Sequence, residues 1–421
     1  MSAWSAKRRN LTIAACVIAW AAALLVSLQP NGELSSNRYL PFYHLQAEAL
    51  LDGRVDLKFP EGWWAQDAVE FEGRQYLAIG PLNGFLMVPY QALGLSERAF
   101  TLTLFTLLLL VLYRFITRHV AWHSDFDGAL WIFGFSLGTM FLFCTAVATA
   151  WFSATLSGGL FLSAAGLMLL EVRAAIARKA QKAAGRPYEP YCWRSAATGA
   201  LGLFCLALAG LSRFHLGILL PVFFATLAWP MFRDGRYKKT MHLLALLAAP
   251  VVFYAAFVLW WNWIRFGDPL SLKYANHQFA GHFQPWVDQF GFNSWRFVLP
   301  HVYHGLIGFP KLLPGWPHLQ FDENGNGLFA MSPLFIFLIF RARRFEREDW
   351  WALGCAVLVS IPVFTLFTTG WRQFGYRYTL DFLPFLAFLL TRADFKIARP
   401  LPIVLVTAAI VLHAAAALLF I

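Results

Sequence analysis

Charged residues are scarce in this sequence, and their scarcity excludes a water-soluble fold. Only 14% of the 421 residues are Asp, Glu, Lys or Arg, whereas 59% are hydrophobic. A soluble chain of this length would form two or three domains and would need many more charges to cover their surfaces. Apolar runs long enough to cross a bilayer recur along the whole length. The sequence therefore predicts an all-α polytopic membrane protein.

Cysteine is also scarce, and the sequence has few signatures of catalysis or metal binding. The five cysteines are widely separated and form no CxxC pair, so neither a metal cage nor a disulfide framework is predicted. A GxSxG elbow and a P-loop are absent, which argues against serine hydrolases and nucleoside triphosphatases. Asp322–Gly327 matches the opening of a calcium loop, but Pro333 replaces the bidentate Glu, so we interpret it as a turn. We expect no metal or other cofactor, with a divalent cation as a minor alternative.

Eleven runs are long and apolar enough to be membrane-spanning helices. They lie near 11–28, 97–115, 128–147, 150–171, 196–212, 214–232, 241–263, 328–340, 351–368, 379–391 and 401–420. A further run, 77–95, is interrupted by Gly80, Pro81 and Pro89. Its composition alone does not decide whether it crosses the membrane, so the decision rests on charge.

The positive charges fall mainly on one side of the membrane if 77–95 does not cross. The six connections on that side then hold 22 of the 34 Lys and Arg residues, as is typical of cytoplasmic loops. If 77–95 crosses, this bias is lost. We therefore interpret 77–95 as a re-entrant or surface segment, with a cytoplasmic N-terminus and an outer C-terminus. The net charge of +11 then reflects membrane topology and anionic lipid rather than nucleic acid.

Two outer connections, 29–96 and 264–327, are far longer than a link between helices requires. Long loops on a helical scaffold commonly carry function. The first contains an amphipathic stretch, 38–52, that we expect to lie in the membrane interface. It also combines carboxylates with aromatic rings, as carbohydrate sites do, although a solvated loop with tryptophan anchors explains any single carboxylate more simply.

The third outer loop, 369–378, is short and places two arginines between glycine and aromatic residues. Arg372 and Arg377 suit a phosphate, because the guanidinium fork donates two parallel hydrogen bonds. Anchoring to lipid headgroups explains the same residues equally well. Asp381 follows within the next apolar run, and we expect it to form a structural salt bridge with Arg377, four residues earlier.

Three degenerate motifs lie in or beside these loops. The first is Tyr39-x-Pro41-x-Tyr43 followed by 47–57, the second is 67–76 followed by Gly80-Pro81, and the third pairs 325–333 with 370–378 and Pro384. Together they resemble the GT-C superfamily of integral membrane glycosyltransferases, specifically bacterial members related to lipid-linked-sugar and protein-mannosyltransferase enzymes. The resemblance implies one transmembrane domain, 1–421, with about eleven helices and with juxtamembrane helices in its long outer loops.

The resemblance also implies a reaction and its residues. A sugar would pass from a polyprenyl-phosphate donor to a glycan, lipid or protein acceptor at the outer face of a bacterial inner membrane. Many relatives have an acidic pair near the start of the first outer loop, but Tyr39 and Leu40 stand at the aligned positions. We therefore rank Asp67 first and Glu33 second as the catalytic base. The candidate substrate-binding residues are Arg74, Tyr76, His44, Lys311, Arg372, Tyr376 and Arg377.

Two alternatives remain open at this point. One is a flippase or other transporter of lipid-linked sugars, and the other is a non-catalytic GT-C-like protein, since the acidic pair is displaced. Transporters typically have paired charges and broken helices near the membrane midplane. The ionisable residues here concentrate at the predicted outer surface, which favours a transferase.

The charge distribution predicts the topology directly. A reporter that is active only outside the cytoplasm should be active when fused after Ile421 and inactive when fused after Lys239. The opposite result at either position would exclude the eleven-span topology and the outward-facing site.

Overall fold

The structure is a computed structural model that describes residues 6–28, 42–61, 67–183, 192–233, 240–278, 281–315, 318–342, 344–370 and 372–419. Its α-helices are α1 (Ala6–Ser27), α2 (Phe42–Leu51), α3 (Leu82–Ala92), α4 (Glu97–His119), α5 (Asp127–Ser136), α6 (Met140–Val147), α7 (Ala150–Ala183), α8 (Trp193–Ser212), α9 (Leu219–Arg233), α10 (Met241–Phe266), α11 (Gln284–Phe290), α12 (Val298–Val302), α13 (Leu328–Met331), α14 (Leu338–Ala342), α15 (Arg347–Phe364), α16 (Leu383–Thr391) and α17 (Pro400–Leu419). The strands are short: β1 (Ala68–Phe71), β2 (Arg74–Leu77), β3 (His277–Gln278), β4 (Lys311–Leu312), β5 (Leu319–Gln320), β6 (Asn324–Asn326) and β7 (Gln373–Gly375).

Several helices have the length and apolarity of membrane spans, which confirms the polytopic prediction. Seven qualify in the part of the chain that the structure describes: Ala6–Ser27, Glu97–His119, Ala150–Lys179, Trp193–Ser212, Phe214–Phe232, Met241–Phe266 and Pro400–Leu418. Helices α5 and α6 meet at a bend of 51° and together would form an eighth, broken span.

Besides 128–147, three more of the eleven predicted spans differ from a long apolar helix. The run 328–340 is divided among α13, a 3-10 turn and α14, and the run 379–391 contains only the nine-residue α16. The run 351–368 lies largely in α15, whose first turn is charged. The count of eleven spans therefore stays a prediction.

The interrupted run 77–95 forms the short helix α3, which packs against α2. Its 11 residues extend about 16 Å, roughly half the thickness of a hydrocarbon core. Just before α3, Gly80 lies directly against the end of α8. A Cβ atom at Gly80 would be 2.3 Å from the carbonyl oxygens of Leu211 and Ser212. The re-entrant interpretation of this run stays a prediction.

Small sheets join the three segments that the sequence places on the outer side. In the first loop β1 pairs with β2, and β1 also pairs with β3 of the second loop, where Val69 is opposite His277. In the second loop β6 runs parallel to β7 of the third loop, where Asn326 is opposite Gly375. The three loops therefore meet at one end of the molecule.

Ion pairs join several segments that the sequence places on the cytoplasmic side. Arg8 at the start of α1 contacts Asp125 at 2.9 Å. Asp349 of α15 accepts from Arg392 at 2.9 Å and also from Arg341. Because Asp349 is fully buried, these two arginines supply the opposite charge that its carboxylate needs.

Because Gly80 lies so close to α8, adding a single methyl group at this position should destabilise the protein. Gly80→Ala should lower stability by about 1–3 kcal/mol, because the backbone of α8 has to move away from the new Cβ. The measurement is the thermal unfolding temperature in detergent. Gly166→Ala in α7 is the control, since nothing lies within 4 Å of the added atom. Equal unfolding temperatures for the two variants would contradict the close approach.

Candidate active site

Asp67 lies at the start of β1, where the first outer loop meets the second. Its backbone N–H donates to the carbonyl of Gln278, which extends the pairing of β1 with β3. Its φ of +62° is a left-handed conformation that Asp adopts more readily than most residues. The Asp67 side chain is 27% exposed. Pairing with the second loop therefore holds a carboxylate that is still accessible.

The surroundings of Asp67 change its acidity. Desolvation raises the pKa of the carboxyl group from 3.8 to about 6, and the positive charge of Arg377 opposes the increase. His277 Nε2 is 3.6 Å from Oδ1 of Asp67. Burial lowers the pKa of this imidazole to about 4, so His277 is neutral at pH 7. A carboxyl group with a pKa near 6 is mostly ionised at pH 7, yet it is basic enough to accept a proton.

Arg377 is a buried cation with neutral partners. Its guanidinium group donates to the carbonyl of Gly370, to Gln373 Oε1 at 3.4 Å and to the hydroxyl of Tyr378 at 3.4 Å. It also lies 5.2 Å from the centre of the Phe152 ring. Within the described residues no carboxylate forms an ion pair with it, and its buried Nε has no hydrogen-bond partner. Burying an unpaired charge is costly, so this position favours an anionic ligand.

Asp381 forms its salt bridge with Arg213 rather than with Arg377, and His215 is a hydrogen-bond partner of the same carboxylate. Arg213 Nε is 2.8 Å from Oδ1 of Asp381, and His215 Nε2 is 3.1 Å from Oδ2. The prediction of a salt bridge is confirmed, but the predicted partner is wrong. Residues 377–381 form a 3-10 helix, in which residues three apart share a face and residues four apart do not. Arg213 is therefore the arginine that neutralises Asp381, the role that the sequence spacing predicted for Arg377.

Arg213 is the principal site residue that the sequence analysis missed. It stands at the break between α8 and a 3-10 turn, and its Nη1 donates to Thr155 Oγ1 at 3.0 Å. Its guanidinium carbon is 4.7 Å from the centre of the Tyr378 ring, and that of Arg377 is 5.0 Å from the same centre. Two guanidinium groups therefore contact one tyrosine. The available signal was an Arg-x-His pair between two apolar runs, a position where charge is expensive.

Tyr376 is buried against the second outer loop. Its hydroxyl is 2.5 Å from His301 Nδ1, and His301 Nε2 is 2.9 Å from the carbonyl of Leu366. A carbonyl only accepts, so Nε2 carries the proton and Nδ1 accepts from the tyrosine. Burial lowers the pKa of His301 to about 4, which keeps the pair neutral. The bond holds the third loop to the second, and a substrate-binding role for Tyr376 stays a prediction.

Two other candidates lie on the β1–β2 hairpin and one lies on α2. Arg74 is exposed, and the Tyr76 ring packs edge-on against Phe266 with the ring centres 5.2 Å apart. The His44 side chain is half-buried on α2. The His44 Nδ1 atom is buried and has no hydrogen-bond partner among the described residues. A substrate-binding role for these three residues stays a prediction.

The remaining candidates are more peripheral or lie outside the described residues. Lys311 is exposed on β4, which pairs with β5. Arg372 is exposed and has a left-handed φ of +51°. Glu33 lies outside the described residues, as do Trp63 and Trp64. The ranking of Asp67 above Glu33 is therefore not tested.

The calcium-like segment forms the predicted turn. Oδ1 of Asp322 accepts from the backbone N–H of Asn324 at 2.9 Å, and the Asp322 carbonyl accepts from Gly325 at 2.9 Å. Over the described ranges, no group of three or more His, Cys, Asp or Glu side chains is arranged to hold a metal ion.

Comparison with known proteins supports the fold. No protein-family model matches the sequence, and no curated protein matches it. The structure is similar to that of the archaeal oligosaccharyltransferase AglB from Archaeoglobus fulgidus, solved in complex with an inhibitory peptide and a dolichol-phosphate. The TM-score is 0.51 at 14% identity, and the similarity covers 97% of this chain and 56% of AglB. The chain thus spans little more than half the length of AglB. The likeness confirms the predicted fold class, a polytopic membrane protein with a GT-C-like fold.

Proposed function

We propose that this protein is a membrane glycosyltransferase that uses a polyprenyl-phosphate-linked sugar as its donor. The observation that carries the proposal is the buried Arg377, whose described partners are all neutral. A donor phosphate would supply the missing negative charge, and the guanidinium fork matches its oxygen atoms. The structure of AglB, which has a similar fold, contains a dolichol-phosphate.

The positive charge of Arg377 is not balanced by an ion pair within the described ranges, so the site can accept one anion. Arg213 and Asp381 neutralise each other through their 2.8 Å contact. Asp67 is close enough to Arg377 for the two charges to interact, but among the described residues the two side chains form no ion pair. A phosphate bound at Arg377 would raise the pKa of Asp67 further, because like charges disfavour ionisation. Donor binding would therefore make Asp67 a stronger base.

The reaction needs one proton acceptor and one stabilised leaving group. The acceptor hydroxyl oxygen attacks the anomeric carbon of the donor while Asp67 takes the hydroxyl proton. The bond between the anomeric carbon and the phosphate oxygen breaks, and polyprenyl phosphate leaves with that electron pair. Arg377 stabilises the charge on the leaving phosphate. Asp381 and Tyr378 position the two arginines.

The proposed location is the outer face of a bacterial inner membrane. The sheets gather the three predicted outer loops at one end, and ion pairs connect predicted cytoplasmic segments elsewhere. These contacts support a site on the side opposite the basic connections. Nucleotide sugars are confined to the cytoplasm, so a lipid-linked donor suits an outer site. The acceptor would be a glycan, a lipid or a protein.

Transport of a lipid-linked sugar is the second candidate function. The bend of 51° between α5 and α6 and the buried pair of Arg213 and Asp381 are features that transporters share. The two functions differ in their need for a base. A flippase should keep its activity when Asp67 becomes Asn, whereas a transferase should not.

The first functional prediction concerns Arg377. Arg377→Ala should reduce transfer about 10²- to 10³-fold, because the leaving phosphate loses its cation. Arg377→Lys should restore only part of the rate, since an ammonium group cannot form the bidentate contact. The measurement is sugar transfer from a polyprenyl-phosphate donor in proteoliposomes. The fold should survive, because Asp381 keeps Arg213 as its partner.

Arg54→Ala is the matched control for the loss of an outer-loop arginine. Arg54 is paired with Asp52 at 2.9 Å and lies on the first loop. Full activity of Arg377→Lys would reduce the role of Arg377 to charge alone. Full activity of Arg377→Ala in a folded preparation would show that the phosphate does not bind at this position.

The second functional prediction concerns Asp67. Asp67→Asn should lower turnover by about two orders of magnitude or more with little change in donor binding, because the amide cannot accept the proton. The wild-type kcat/KM should rise with pH through about 6, where the carboxyl group of the free enzyme ionises. The variant should lack this dependence.

Glu72→Gln provides the control, because Glu72 is an exposed acid on the same hairpin. Its turnover and pH profile should match those of the wild type. If Asp67→Asn retains activity while Glu33→Gln loses it, the base is Glu33. If both variants keep transferring sugar, neither acid is the base.

A further inference from the structure

The second outer loop carries a row of exposed apolar side chains on an uninterrupted series of helical turns, 295–307. The row recurs at four-residue intervals and consists of Trp295, Leu299, Tyr303 and Ile307. Their exposed fractions are 74%, 78%, 52% and 52%. Between them, Phe297 and His301 face inward and are only 6% and 1% exposed. This stretch, here called the Trp295 row, is therefore two-sided, with one face packed on the protein and one apolar face left open.

The residues that follow the row in the sequence are also apolar and exposed. Phe309 and Leu312, which lie before and within β4, are 68% and 84% exposed. The sequence has no acidic residue between Asp288 and Asp322. Its two basic residues in that interval, Arg296 and Lys311, are both exposed. These six exposed apolar side chains lie in the same part of the loop, and the only charged side chains near them in the sequence are positive. Exposed apolar residues grouped in this way are typical of a surface that contacts a membrane or a protein rather than water.

We propose that the Trp295 row, together with Phe309 and Leu312, lies on the outer leaflet of the same bilayer that the spans cross. Tryptophan, tyrosine and aliphatic side chains on one helical face are typical of segments in the membrane interface. Arg296 and Lys311 complement the phosphates of lipid headgroups. The preceding span, α10, ends with the exposed Trp260 and Trp263, which places an aromatic belt at the start of this loop.

The inward face of the row connects this membrane contact to the candidate site. His301 lies on that face and accepts the hydrogen bond of Tyr376, one residue before Arg377. The His301 ring also stacks on Phe364 at the end of α15. A row fixed on the leaflet would therefore hold the third outer loop at a constant height above the lipid. That height determines whether Arg377 meets a phosphate carried by a membrane-embedded lipid.

The experiment measures lipid contact at single positions in the full chain. Cys16, Cys192 and Cys205 are changed to alanine, and the buried Cys144 and Cys355 are kept. A fluorescent label is attached to Leu299→Cys or to Tyr303→Cys, and the protein is reconstituted into phosphatidylcholine vesicles with or without brominated acyl chains. Glu72→Cys, on an exposed turn of the first loop, is the control.

Brominated lipid should quench the labels at 299 and 303 by about half and the label at 72 by less than about one tenth, because bromine quenches only on close contact. Two positions are used so that a local disturbance at one of them does not decide the result. Equal quenching at 299, 303 and 72 would overturn the proposal. Weak lipid quenching combined with cross-linking between two copies through position 299 would also overturn it, because a second copy would then cover the row.

Discussion

A buried guanidinium group that has no carboxylate partner among the described residues is the constraint on which the candidate site depends. Arg377 is only 7% exposed, and three neutral oxygen atoms accept its described hydrogen bonds. The chain makes space for it at Gly370, where a Cβ atom would lie 2.8 Å from the guanidinium carbon. Gly370 also has a φ of +104°, which side chains rarely adopt. The fold therefore maintains an unneutralised cation at some cost, as binding sites for anions do.

The site depends on contacts between segments that are distant in the sequence. β1 and β3 bring Asp67 beside His277, and β6 and β7 place the Arg377 loop against the second outer loop. The transmembrane scaffold then supplies Arg213 from the end of α8. The separate pairing of Arg213 with Asp381 gives the two arginines different electrostatic roles. Arg213 is neutralised within the protein, and Arg377 is the cation to which we assign the phosphate in our proposal.

Hydropathy predicted most of the spans because burial in lipid requires continuous apolar runs, as in α4 or α10. It could not predict the breaks near Ser332 and Phe382, where 3-10 turns replace regular helix. Asp67 and Arg377 were found because their local surroundings resemble family motifs. The histidines of the second loop, His277 among them, were expected to form hydrogen bonds or contact substrate, but the proximity of His277 to Asp67 was not predicted. Arg213 was missed altogether, because its partner Asp381 lies 168 positions later in the chain (381 minus 213). Short-range spacing carries no record of such contacts, and it misassigned the partner of Asp381.

A structure of the protein bound to a polyprenyl phosphate would show whether Arg377 binds the phosphate of a lipid carrier. We expect phosphate oxygens within hydrogen-bond distance of Arg377, at about 2.7–2.9 Å, with Nε among the donors. We also expect the Arg213–Asp381 pair to stay intact. A phosphate bound elsewhere, with Arg377 still in contact with Gly370, Gln373 and Tyr378 alone, would show that Arg377 is not the phosphate site.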